Sequence, residues 1–250
     1  MNILLLASCV EPIIKKNISN QDVYENIKDL NYNLENILKK YPNIFDKFEI
    51  VIADCSENFK LEKKDIKCIN IKYWSNLNVK ILNISFSKKD ILRILKKGKG
   101  YSEILLIKYS LLKLNLKKDD KIFKLTARYS LLFPRFTLNY YKNLGEQNDI
   151  VILISRLFKR TSCHFFIFKY SFFKEYADNL LLKLNDYDGN ILEVSLFQLL
   201  TIENVDKKIK FKRSKIFSFY KNKLKPGSTL ARKNSSNYLY QILRNLAFLI

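Results

Sequence analysis

The chain has 250 residues, a length that favours one large α/β domain, or one domain with an appended lobe, over two independent domains. With 48% hydrophobic residues, 28% charged residues and a formal net charge of +21, it is a folding sequence with a basic excess and not a disordered polycation. Part of that excess reads as codon bias, since Lys, Asn and Ile are plentiful beside 5 Gly, 4 Pro and 1 Met; the rest calls for an anionic partner, namely a nucleotide phosphate, nucleic acid or an anionic membrane face.

Ile3 to Ala7 is a continuous apolar run and reads as a strand buried on both faces of a mainly parallel sheet. It lacks the positive flank of a signal peptide and Glu11 follows directly, so an export sequence is not expected. Asp22 to Lys40 has helical periodicity through Val23, Ile27, Leu30, Leu34 and Leu38, and stops before Pro42. Phe48 to Ala53 is a second buried strand, closed by Asp54, Cys55 and Ser56. A β-α-β opening of this kind predicts a right-handed crossover, with ligands bound at the carboxyl ends of the strands.

Ile66 to Tyr73 and Val79 to Phe86 read as short strands or loop excursions, and Lys88 to Lys97 as a short basic helix. Ser102 to Leu114 is a helix, Lys121 to Ala127 a strand, Thr137 to Leu144 a helix and Ile150 to Ile154 a strand. After these come a strand at Cys163 to Lys169, a helix at Phe172 to Leu184, a turn at NDYDGN and a helix at Ile191 to Leu200. A basic stretch from Lys207 to Lys225 precedes the break at Pro226 and Gly227, and Asn237 to Leu249 forms a terminal helix that docks on the core or lies in a membrane interface. The expected architecture is a three-layer α/β core over residues 1–155, with a smaller lobe over 156–250 packed on it as one structural unit.

No run reaches about 18 uninterrupted apolar residues, so no bilayer-spanning helix is expected. The expected location is cytoplasmic, at most at the inner face of the cytoplasmic membrane. Cys9, Cys55, Cys68 and Cys163 have no CxxC spacing and read as free thiols of a reducing compartment. His164, the only histidine, lies in the apolar run CHFFIF and reads as a core-edge residue rather than part of a triad or an HExxH site.

Five segments carry candidate chemistry. In KGKGYSE (97–103), Gly98 and Gly100 permit tight turns and close ligand approach ahead of a helix N-terminus, where free N–H groups bind anions. The competing reading is a helix start capped by Ser102, with Glu103 facing the dipole or taking a sugar hydroxyl. In KLTARY (124–129), strand alternation puts Lys124, Thr126 and Arg128 on one face, a fork suited to a diphosphate; an edge strand with solvated cations is the alternative. In NDYDG (185–189), Asp186 and Asp188 have the spacing of a two-carboxylate divalent-metal site, for Mn or Mg, and also the composition of an ordinary tight turn. Glu193 interrupts an apolar helical face and reads as a general base or a solvated position. A fifth stretch, KNKLKPGSTLARK, offers a Gly-Ser-Thr turn with Ser228 at a phosphate, or a surface loop.

In order along the chain, KGKGYSE, KLTARY, HFFIFK (164–169), DYDGNILE (186–193) and PGST (226–229) resemble the KGxGxxE, KxTGRY, aromatic-strand, DxxGxxxE and Gly-Ser segments of a family of small glycosyltransferases from bacterial capsule and lipopolysaccharide loci. Ala127 stands where that pattern has glycine, and Asp54-Cys55-Ser56 where it has an acidic residue, Asn and Ser. The resemblance implies a GT-A-like fold that takes a sugar from a nucleotide-sugar donor to a glycan acceptor, a surface polysaccharide or lipooligosaccharide. It implies Asp54 near the base or ribose, Gly98, Gly100, Glu103, Thr126 and Ser228 at the donor, Lys124 and Arg128 on the leaving diphosphate and Glu193 as acceptor base. A basic nucleic-acid-binding protein is the competing reading; under the transferase reading no nucleic acid partner is expected.

Overall fold

Seven strands form one central sheet in the order β3-β2-β1-β4-β7-β6-β8, and every neighbouring pair is parallel except the two made by β7. The computed structural model describes residues 1–11, 13, 23–66, 79–127, 129–131, 133–204, 208–214 and 219–221. The strands are β1 (Asn2–Ser8), β2 (Glu49–Asp54), β3 (Val79–Asn83), β4 (Lys121–Thr126), β6 (Ile150–Ser155), β7 (Arg160–Lys169) and β8 (Phe211–Arg213); β5 (Tyr129–Leu131) pairs separately with β9 (Phe219–Lys221). The helices are α1 (Val23–Lys40), α2 (Lys88–Lys97), α3 (Lys99–Leu112), α4 (Pro134–Leu144), α5 (Tyr170–Lys183) and α6 (Leu192–Thr201).

The expected α/β class with a mainly parallel sheet is therefore present. Period-2 alternation divides its core. Ile3, Leu5 and Ala7 of β1 pack with α3, α5 and α6 on one face, while Leu4 and Leu6 pack with α1 and α4 on the other. The same alternation runs through HFFIF, with Phe166 and Phe168 on the first face, and Phe165 and Ile167 on the second. Helices thus cover both faces, as a sheet with apolar runs this continuous requires.

Among the differences from the sequence reading, three bear on the sheet and the site. Helix α3 starts at Lys99 and not at Ser102, because Gly98 adopts φ +101° and turns the chain from the end of α2 straight into α3. Strand β7 begins at Arg160, so it pairs with β6 through a tight hairpin. Inside the basic stretch, β8 adds itself to the sheet edge beside β6. Both β7 and β8 follow residue 155 yet lie in the same sheet as β1. Most of Ile66 to Tyr73, the PGST segment, Cys68 and the terminal helix fall outside the described residues.

Candidate active site at the carboxyl edge of the sheet

Because only β7 runs against the others, the carboxyl ends of β1, β2, β4 and β6 and the first residues of β7 share one edge of the sheet. Buried polar residues collect there, among them Ser8, Asp54, Ser155, Thr161 and Ser162. This is the edge at which α/β sheets bind ligands.

Lys124 lies in β4 with 0% exposure, on the face that packs against α3. Its Nζ donates to the Glu103 carboxylate of α3, to Thr126 Oγ1 at 2.7 Å and to the Cys163 carbonyl of β7 at 2.6 Å. An ammonium has three protons, and all three are engaged. Strand alternation does put Lys124 and Thr126 together, but the expectation of a cation open to a diphosphate needs correcting. In this structure Lys124 is a positioning residue, neutralised by Glu103 and anchoring it at the sheet edge. The solvated edge-strand alternative fails as well, since β4 lies between β1 and β7. Arg128 and Ser228 lie outside the described residues.

The glycines of KGKGYSE make room for a protein side chain. A Cβ on Gly98 would stand 2.6 Å from Asp186 Cβ and Oδ2, and one on Gly100 would stand 2.9 Å from Asp186 Oδ1. The Gly100 N–H donates to Asp186 Oδ2 at 3.1 Å, so Asp186 caps α3 from 86 residues away, where Gly98 offers no side chain. The glycine-lined space expected for a ligand is occupied here by Asp186. Lys97 donates to the carbonyls of Leu181 and Leu182 at 2.8 and 3.1 Å, tying the same motif to the end of α5. Ser102, expected as the cap, hydrogen-bonds the Cys55 thiol instead.

The two carboxylates of the metal expectation have different partners. Asp186 turns toward α3, whereas Asp188 is exposed and accepts from Asn185 Nδ2 at 2.5 Å. Among the described residues no group of three or more His, Cys, Asp or Glu side chains is placed to hold a metal ion.

Glu193 is half-buried in the first turn of α6. Burial, reinforced by the carboxylates of Glu103 and Asp186, holds its carboxyl above the usual range, against the opposing pull of its own backbone N–H and of Lys124. Glu193 therefore senses two other acids and one ammonium. Glu103 has the ammonium, Asp186 the helix N–H, and Glu193 is the member whose proton is held more tightly than usual. A raised proton affinity at a ligand-binding edge is a mark of groups that transfer protons.

Asp54 sits at the same edge but in another role. It is 1% exposed, and its two oxygens accept from the backbone N–H groups of Val10 and Ser56, both at 2.9 Å. Ser56 Oγ in turn accepts from the Glu11 N–H at 2.8 Å. Asp54 thus ties together the loops after β1 and β2, and each of its oxygens keeps a second acceptor position beside the one these N–H groups occupy.

Two participants escaped the sequence reading. The Thr161 hydroxyl donates to the Glu193 carbonyl at 3.0 Å, and the Cys163 carbonyl receives Lys124. Their signal is the pairing of β7 with β4, in which Phe166 lies opposite Lys124, and no local motif carries it. Burial, with help from Glu193 and Glu103, pushes the Cys163 thiol well above its ordinary range, so it is an inert neighbour and not a nucleophile. His164 is partly buried and stacks on Tyr129, with 3.9 Å between ring centroids.

No protein-family model and no curated protein matches the sequence. Solved structures that resemble the chain include two glycosyltransferases. One is the galactosyltransferase LgtC in complex with donor and acceptor sugar analogs, at 11% identity and a TM-score of 0.49, covering 86% of this chain and 74% of that one. The other is mouse xyloside xylosyltransferase 1 in its apo form, at 10% identity and a TM-score of 0.44, covering 86% and 85%. Likeness of that degree carries no argument about activity or site residues.

Proposed function

We propose that this chain is a glycosyltransferase with a GT-A-like fold, moving a sugar from a nucleotide-sugar donor to a bacterial surface polysaccharide or lipooligosaccharide acceptor. The observation that carries the reading is Glu193, a half-buried acid with a raised pKa at the carboxyl edge of a mainly parallel sheet, beside the Glu103–Lys124 pair. The motif order from KGKGYSE to PGST supports it independently.

In an inverting reaction, Glu193 takes the proton of the acceptor hydroxyl as its oxygen attacks the anomeric carbon. The bond to the donor's phosphate oxygen breaks, and the nucleotide leaves. Lys124 holds Glu103 in place for contact with the donor sugar, Asp186 keeps the α3 N-terminus at the site, and Arg128, two residues beyond β4, meets the leaving phosphates. Residues 1–155 carry the donor side and residues 156–250 the acceptor side. The aromatic side chains of HFFIF are buried, Phe165 at 0% and both Phe166 and Phe168 at 2%, so they supply no stacking platform for the nucleic-acid alternative.

The test is thermal denaturation with UDP, GDP and CMP, followed by transfer assays with sugar forms of the nucleotide that binds. One nucleotide is expected to raise the melting temperature, and Glu193→Gln to retain that shift while turnover collapses. No shift with any nucleotide, or unchanged turnover in the variant, contradicts the reading.

A further inference from the structure

The turn between β6 and β7 reads Arg156-Leu157-Phe158-Lys159-Arg160, and all five residues are exposed. Leu157 is 68% exposed and Phe158 51%, although apolar side chains of that size ordinarily find cover. None of the three cations has an ion pair among the described residues. The tip is also firmly built. Buried Ser155 accepts the Phe158 N–H on its Oγ at 3.3 Å, the Lys159 N–H returns to the Arg156 carbonyl at 3.3 Å, and Lys159 takes φ +48° to close the turn.

Two adjacent apolar residues bracketed by cations, on a hydrogen-bonded turn with no acid in it, fit a surface that is anionic outside and apolar beneath. We infer that this hairpin docks on an anionic phospholipid bilayer, with Leu157 and Phe158 entering the headgroup boundary and Arg156, Lys159 and Arg160 pairing with lipid phosphates. A nucleic acid would use the same cations, but leucine has no ring face to stack on a base, and that favours lipid. The hairpin lies at the sheet's carboxyl edge, where β6 ends and β7 begins, so docking would bring the candidate active site to the membrane surface. A second exposed set supports that orientation. Phe133 (66%), Arg135 and Phe136 (58%) stand at the start of α4, and α4 starts at the same edge because it runs back to the opposite end, where β6 begins.

The experiment is cosedimentation of the full chain, without donor, on vesicles of phosphatidylcholine alone and of phosphatidylcholine mixed with phosphatidylglycerol. Wild type is expected to bind the mixed vesicles only. Leu157→Ser with Phe158→Ser should weaken that binding about tenfold or more, and Arg156→Gln, Lys159→Gln and Arg160→Gln about fivefold per cation at low salt. Because the tip is exposed, these variants should melt as wild type does. Phe158→Trp gives a direct readout: its added fluorescence over the wild-type background should shift to the blue on mixed vesicles. No vesicle binding by wild type, equal binding by the hairpin variants, an unshifted Phe158→Trp signal, or hairpin-dependent binding of single-stranded RNA without vesicle binding would each overturn the proposal. The transferase reading can fail without touching this result, since no nucleotide enters the assay.

Discussion

Two acids at one edge of the same sheet, buried Asp54 at the end of β2 and half-buried Glu193 at the start of α6, have opposite surroundings. Asp54 receives two backbone N–H groups, one on each oxygen, so its charge stitches loops together. Glu193 shares its surroundings with Glu103, Asp186 and a single ammonium already held by Glu103, so its proton affinity rises. Burial alone does not separate a structural carboxylate from a chemical one; the balance of donors and neighbouring charges around it does.

The largest effect that would sharpen this contrast is on turnover. With the donor identified, Glu193→Gln should lower kcat by about 10²- to 10⁴-fold, whereas Asp54→Asn, which keeps an acceptor for one of the two N–H groups, should leave kcat within about tenfold of wild type. Comparable losses in steady-state assays would erase the distinction.

Next comes the buried pair. Glu103→Ala leaves the Lys124 ammonium in the core without its counter-charge and should cost about 3–5 kcal/mol of stability in urea titrations. Lys124→Met should cost less, because Glu103 is 28% exposed and can turn to water. The reverse order would mean that Lys124 does not depend on Glu103.

The glycines separate strain from collision. At Gly98, alanine meets both φ +101° and Asp186 at 2.6 Å, and should destabilise by about 2–3 kcal/mol. At Gly189, φ is +80° with nothing within 4 Å of an added Cβ, and alanine should cost only about 1 kcal/mol. Equal melting temperatures for the two variants would remove Asp186 as the reason for the KGKG pattern.

The smallest effect is a matter of sign. A carboxyl whose folded pKa is raised favours the folded state at pH below its unfolded value, and that contribution is lost as pH rises through the folded pKa. Glu193→Gln should therefore raise the melting temperature by on the order of 2 °C at neutral pH, and the gain should vanish in acid. A gain that grows toward acid would contradict a raised pKa.

The elements were legible because long apolar runs and the spacing of Leu30, Leu34 and Leu38 fix strand and helix wherever burial is extensive. Strand β8 was not, since three residues with two cations at a sheet edge have no period to read. The start of α3 was misplaced because its cap comes from Asp186, far along the chain. For the candidate site, KLTARY correctly pointed to one face of β4, but what that face meets is set by β7 and α3. Likewise, a glycine pair that admits a ligand and one that admits an aspartate look the same in sequence. Glu193 was legible because an acid inside ILEVSLFQLL interrupts an apolar face.

The most direct measurement of the central claim is a carbon-13 NMR titration of the glutamate side chains, with the Glu193 carboxyl assigned by its absence from Glu193→Gln. Its resonance should titrate above the ordinary carboxylate range and move back toward that range in Glu103→Gln. Titration at the ordinary value in wild type would contradict the account.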